Sequence, residues 1–232
     1  LPLNLSDVTL CCYDAVAHEA AALAIGDMMG AVKFGAVKVW SDRPECFGDV
    51  PGIIIHPIIG GLAKPLGQAE LWETGWRKCR TSHILNVEWD TGINDPSQWT
   101  DEFLECDFIG APWPWHPAAS RVGNGGFSLI SRRLAERISR GDYPYAFPWD
   151  EVLCRRYRPH LEAEGFRWAP EVLAAQFSLE HGPSRLSFGF HDCRNFPRVL
   201  ALKDLARRHA AANDYVRAHP SWRQMVEGTI LA

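Results

Sequence analysis

The sequence predicts an α/β protein: a single domain on a Rossmann-like mixed sheet flanked by helices. Two observations carry that expectation. Residues 8–42 read as a β-α-β unit, with an apolar run Val8–Tyr13, an Ala-rich helical stretch from Ala17 to Met29, and a second β-capable run Ala36–Trp40. Short β-capable runs then continue to alternate with helical stretches downstream. The chain has 232 residues, and a domain of this size buries about 70 % of its unfolded surface, so no cross-links are needed.

Each element has its own local reason. Ile53–His56 is a short third strand, and residues 66–79 read as a helix weakened by Gly67 and Gly75. Thr81–Asp90 gives a central strand that ends in an acid, and Asp95–Trp99 a turn with a short helix. Phe108–Trp113 is a strand running into a Pro/Trp loop, and residues 129–140 form a helix with Arg132, Arg133, Arg137 and Arg140 on its polar side. Pro148 ahead of Trp149-Asp150-Glu151 marks a helix start, where the dipole favours acids. Phe166–Pro170 is a short strand, a helical turn runs from Pro170 through Ala175, and Ser187–His191 is a last strand or loop. Residues 199–216 form an amphipathic helix that His219-Pro220 stops, with a peripheral tail beyond.

Composition narrows the class. The chain is 47 % hydrophobic and 22 % charged with a net charge of -4 and no long basic run, which argues against nucleic acid as the main partner. Arg194, Arg198, Arg207 and Arg208 are expected on a solvated helix face, with a phosphate contact as the alternative. The seven cysteines are odd in number and lack a Cys-x-x-Cys pair, which points away from a disulfide framework and toward a reducing, cytoplasmic setting. Cys11, Cys12 and Cys106 sit in apolar runs as core candidates. No transmembrane run and no signal peptide are expected, and the missing initial Met fits a piece of a larger chain or complex.

The site candidates cluster around Arg121–Leu129, where Gly123, Gly125 and Gly126 flank Asn124. Such a stretch predicts a tight turn with bare backbone facing a pocket. Ligands of open α/β sheets bind at the C-terminal ends of strands, which makes Asp14 and Asp42 candidates for nucleoside contacts. Asp90 ends the central strand and is a candidate ligand for Mg²⁺ or Mn²⁺ holding a diphosphate. Several of the ten Trp lie beside Gly, Pro and acids, a placement that suits a carbohydrate cleft.

With those residues in view the chain resembles a known family. The order is Trp89-Asp90, Trp99, Asp101–Glu105, Asp107–Trp113, the glycine stretch through Ser131-Arg132, an acidic pair, Ala169-Pro170-Glu171, Phe177-Ser178 and Phe188–His191. It looks like a bacterial and eukaryotic-microbial domain family of formerly unknown function. That family is similar to GT-A glycosyltransferases and, more distantly, to β-1,4-galactosyltransferases. The resemblance covers residues 8–193 and implies a GT-A-like domain over residues 1–198, with 199–232 as a helical tail. It implies an inverting, metal-dependent transferase that moves a sugar, galactose among the candidates, from a UDP-sugar donor to a glycan or lipid-linked acceptor. Asp90 takes the place of an Asp-x-Asp motif but is followed by Thr91 and Gly92, and His191 matches a late histidine ligand. Gly125, Gly126 and Asn124 are expected on the donor sugar, and Trp113, Trp115 and Trp149 on the acceptor. Glu151 matches the base with Asp150 on the acceptor, or the two roles are exchanged. The alternative is a non-catalytic nucleotide-sugar or glycan-binding domain of a larger enzyme.

Overall fold

The computed structural model describes residues 2–58, 64–182 and 186–218. In chain order the elements are β1 (Leu3–Asp14), α1 (His18–Ala31), β2 (Val32–Ser41), β3 (Ile53–Pro57), α2 (Lys64–Glu70), β4 (His83–Val87), β5 (Gly92–Ile93), β6 (Phe108–Gly110) and β7 (Phe127–Ser131). There follow α3 (Arg132–Ile138), α4 (Trp149–Glu151), α5 (Arg158–Ala163), α6 (Glu171–Phe177), β8 (Ser178–Leu179), β9 (Gly189–Phe190), α7 (Phe196–Val199) and α8 (Leu202–Ala218).

The main sheet has six strands in the order β3-β2-β1-β4-β7-β6. The first four run parallel, and β7 is antiparallel to both β4 and β6. The expected mixed α/β sheet is therefore present. All five residues of β4 are buried, as a strand covered on both faces requires. Val8, Leu10, Val37, Val39, Ile84, Leu85, Leu129 and Ile130 supply the sheet's share of one continuous core, which α1 joins through Ala20, Ala21, Ala24, Ile25 and Met28.

Register fixes where chemistry can sit. Asp14 pairs with Ser41, Cys12 with Val87, and Val87 with Phe127. The ends of β1, β2 and β4 and the start of β7 thus share one edge. A three-stranded sheet, β5-β9-β8, adjoins that edge. Gly92 pairs with Phe190 and Leu179 with Phe190. This register puts Glu180 beside His191, with Asp90 two residues before Gly92.

Several boundaries differ from those expected. The helix expected over 66–79 is α2 followed by a π turn at Leu71–Gly75 and a 3₁₀ turn at Trp76–Lys78. Gly67 is a close approach, since a Cβ there would lie 1.7 Å from the Tyr13 ring. Residues 129–131 belong to β7, and the helix begins only at Arg132, where the Ser131 hydroxyl accepts from the Leu134 amide. The strand expected at 166–170 is a single bridge from Trp168 to Phe108. The C-terminal helix is docked, with Arg208 and Ala212 buried; the peripheral tail expected beyond it lies outside the described residues. Arg208 is thus a correction to the expected solvated arginine face, while Arg207 on the surface pairs with Asp27 at 2.6 Å. The expected stop at His219-Pro220 lies outside the described residues. Among the described residues no helix is long and apolar enough to cross a membrane.

Candidate metal and transfer site

Beyond β4 the chain reads Glu88-Trp89-Asp90. The chain turns there, with Trp89 buried in the core and Glu88 and Asp90 both brought to His191. Ligand atoms of Glu88, Asp90 and His191 all lie within 4.8 Å of one another. His191 Nε2 is 3.5 Å from Asp90 Oδ1, and that oxygen is buried with no hydrogen bond. Two carboxylates and an imidazole, with one carboxylate oxygen unsatisfied, fit a divalent cation such as Mn²⁺ or Mg²⁺.

The other side of His191 is also built. Its Nδ1 lies 3.2 Å from Glu180 Oε1, an acceptor that orients the ring and leaves Nε2 toward Asp90. Burial opposes charge on His191, but Asp90 and Glu180 outweigh it and hold its pKa well above the usual imidazole value. Burial likewise opposes charge on Glu180, yet the hydrogen bonds of His181 and His191 bring its pKa down to about 2. Asn124 Nδ2 also faces His191 Nδ1 at 3.0 Å, while Asn124 Oδ1 accepts from the Gly126 and Phe127 amides.

The glycine turn has a different role from the one expected. A Cβ on Gly125 would meet the Trp149 ring at 2.4 Å and Asp150 Cβ at 2.8 Å, and one on Gly126 would meet His191 Nε2 at 2.3 Å. The space above both glycines is filled by the site's own side chains. The expectation that a sugar lies there on bare backbone is therefore corrected. Asn86 Nδ2 donates to Gly125 O at 2.9 Å and ties the turn to β4.

The acidic pair divides. Asp150 Oδ2 accepts from the Gly125 amide and Oδ1 from the Glu151 amide, both at 3.0 Å. Burial lifts its pKa to about 6 against those two bonds, with Glu88 adding to the rise and His191 opposing it. Glu151 turns the other way, into an ion pair with Arg155, and lies 3.5 Å from His116.

Asp14 and Asp42 stand at the ends of β1 and β2 as expected. Asp14 Oδ1 accepts from the Val16 and Ala17 amides, and burial lifts its pKa to about 6 despite those bonds. Asp42 Oδ1 lies 2.7 Å from His18 Nε2. A small cavity lined by Tyr13, Asp14, Ala15, Val16, Glu88 and Trp89 lies between the end of β1 and Glu88.

The tryptophans require a correction. Trp113 and Trp149 are each only 5 % exposed. Trp113 packs under Gly123, and Trp149 packs on Gly125 and edge-on to Trp72 and Trp76. Neither offers a face to an acceptor. Trp115, by contrast, is 59 % exposed and stands edge-on to His181, ring centroids 4.6 Å apart. Sequence reasoning missed Glu88 because the motif was sought forward of Asp90. The signal was a second acid, Glu88, two residues before Asp90 at the same strand end. Glu180 carried no signal of its own, since only the β8–β9 register brings it to His191.

The fold is that of a GT-A-like α/β protein. The chain belongs to a protein family of unknown function (DUF5672), whose model matches residues 61–191. No curated protein matches it. Among solved structures it is similar to the mannosyltransferase PcManGT from Pyrobaculum calidifontis in complex with GDP-Man and Mn²⁺. The TM-score is 0.51 at 11 % sequence identity, over 97 % of this chain and 74 % of that one. At that identity the likeness shows the fold.

Proposed function

We propose that this chain is a metal-dependent glycosyltransferase that moves a sugar from a nucleoside-diphosphate donor to a hydroxyl of a glycan or lipid-linked acceptor. The observation that carries this reading is the convergence of Glu88, Asp90 and His191 at the sheet edge, beside a buried carboxylate on the glycine turn. The described neighbour of like fold was solved with GDP-Man and Mn²⁺, which supports both a nucleotide-sugar and a divalent cation. Galactose and uridine remain expectations of the sequence resemblance.

Glu88, Asp90 and the Nε2 of His191 would hold the metal. When bound, a divalent cation offsets the charge of a departing diphosphate. Glu180 orients His191 from behind through Nδ1. Asp14 and Asp42 would face the nucleoside from the ends of β1 and β2. Asp150 is the proton acceptor for the attacking hydroxyl. Its carboxylate is fixed by two amides, and its pKa of about 6 lets it be ionised at neutral pH yet basic enough to take a proton. Attack from the face opposite the leaving diphosphate inverts the anomeric centre. Glu151 is instead held in an ion pair with Arg155. Trp115, exposed beside His181, would stack on the acceptor.

The test is release of nucleoside diphosphate from a panel of GDP- and UDP-sugars with Mn²⁺, with and without saccharide acceptors. Wild type should release it, and Asp90→Asn and Glu88→Gln should lose most of the rate. No release from any donor by folded protein would reject catalysis and favour the non-catalytic binding domain.

A further inference from the structure

We propose that Arg208 of α8 is a positioning residue for the Glu88-Trp89-Asp90 motif, so that the C-terminal helix is a working part of the site. The proposal rests on the metal-dependent reading above.

Arg208 is 1 % exposed, among the largest fully buried side chains of the protein. One terminal nitrogen donates to Trp89 O at 3.5 Å and to Ala20 O at 3.3 Å, and the other donates to Thr91 O. The Trp89 and Thr91 carbonyls bracket Asp90. The segment between β4 and β5 has no ladder of its own, so its buried carbonyls need donors from elsewhere. A guanidinium presents several N–H groups in a planar fork and answers three carbonyls at once, whereas an ammonium is a point donor. Gly92 leaves the room, since a Cβ there would lie 3.3 Å from the guanidinium and 2.8 Å from the Phe190 ring.

Packing alone does not call for this residue. An apolar side chain would dock α8 on α1 without desolvating a cation. Burial lowers the Arg208 pKa to about 10, which still leaves it charged at neutral pH, with Asp27 3.7 Å away and the Phe196 ring 5.6 Å away. A cation behind Asp90 also eases the repulsion between the acids that face the metal. The same hold ties α1, through Ala20, to the motif and to α8.

The test uses the full chain with Arg208→Lys, Arg208→Met and, as a control on the same helix, Arg207→Ala. Amide hydrogen exchange is read for residues 86–93 and for β1 and β2, and Mn²⁺ affinity is measured by electron paramagnetic resonance. Arg208→Met should speed exchange at 86–93 selectively and weaken Mn²⁺ binding about 10-fold or more, the scale of losing a group that orients metal ligands. Arg208→Lys should fall between it and wild type, and Arg207→Ala should match wild type. Wild-type exchange at 86–93 in a folded Arg208→Lys or Arg208→Met protein overturns the proposal, as does faster exchange spread evenly over β1 and β2. If Arg208→Met does not fold, the Lys variant decides. If wild type binds no Mn²⁺ the metal reading fails by itself, and exchange at 86–93 still decides the role of Arg208.

Discussion

At the scale of single residues the site is a study in which carboxylates are free to act. Asp150 and Glu151 are neighbours, but the chain turns one toward the glycine turn and the other toward Arg155. Asp150→Asn should lower turnover by about 10²–10⁴-fold, the usual scale of a general base, while Glu151→Gln should cost less than about 10-fold. In the proposed role only ionised Asp150 would accept a proton, so the wild-type rate should fall as pH drops below its pKa of about 6 and level off above it. Wild-type turnover in Asp150→Asn would sink the assignment. Asp107 shows the opposite use of a carboxylate. It accepts from Ser131 Oγ at 2.6 Å, from Arg133 at 2.7 and 2.6 Å, and from the Arg167 amide at 2.8 Å. Burial alone would raise its pKa, but those partners outweigh burial and leave it below the ordinary value. A depressed carboxyl pKa gives stability that is present above the unfolded value, about 3.9, and is lost as pH falls through the folded one. Asp107→Asn should therefore destabilise by about 1–3 kcal/mol at pH 7 and flatten the acid limb of a Tm-against-pH curve. An unchanged midpoint across pH 3–7 would show that the half-exposed Arg133 contributes nothing there.

At the scale of elements the decisive piece is the turn before β7. Its glycines matter because Trp149, Asp150 and His191 come from two other elements and need the space a side chain would take. Gly126→Ala should push the His191 ring away from Asp90 and weaken Mn²⁺ binding about 10–100-fold, with overpacking of about 1–3 kcal/mol read in the Tm. Tight Mn²⁺ binding by Gly126→Ala would mean that His191 is not a ligand. Part of this was legible in the sequence. Three glycines in four positions marked the turn, and the acid at the end of a central strand marked Asp90, because both are local signals. The fillers of the turn were not legible, since which side chain covers a glycine depends on contacts tens of residues away. The tryptophans failed for the same reason: a Trp beside Pro or Gly reads alike whether it faces solvent, as Trp115 does, or packs under a glycine, as Trp113 does. The α-β alternation was legible in outline, but Arg208 was not, because an arginine in an amphipathic helix announces a surface and only the docked α8 reveals three carbonyls waiting for it.

At the scale of the whole molecule the sheet edge gathers one sign of charge. Asp14, Asp42, Glu88, Asp90, Asp150 and Glu180 converge there, with His18 beside Asp42 and His191 between Asp90 and Glu180. Such an edge repels a bare diphosphate and attracts a divalent cation. Metal and nucleotide should therefore bind with positive coupling, and reciprocity requires each to tighten the other. In thermal-shift measurements GDP or UDP with EDTA should give little change, Mn²⁺ alone a small rise, and the two together a rise well beyond the sum. A ligand at 100 times its Kd adds about 2.7 kcal/mol to stability, which for a chain of this length is about 5–10 °C in Tm. Which of GDP and UDP gives the larger shift names the donor class. An equal shift in EDTA would mean that the diphosphate is held by backbone or arginine and not through a cation at the acids. Glu88, Asp90 and His191 would then be an ordinary cluster of polar side chains, and the orphaned oxygen of Asp90 would need another partner.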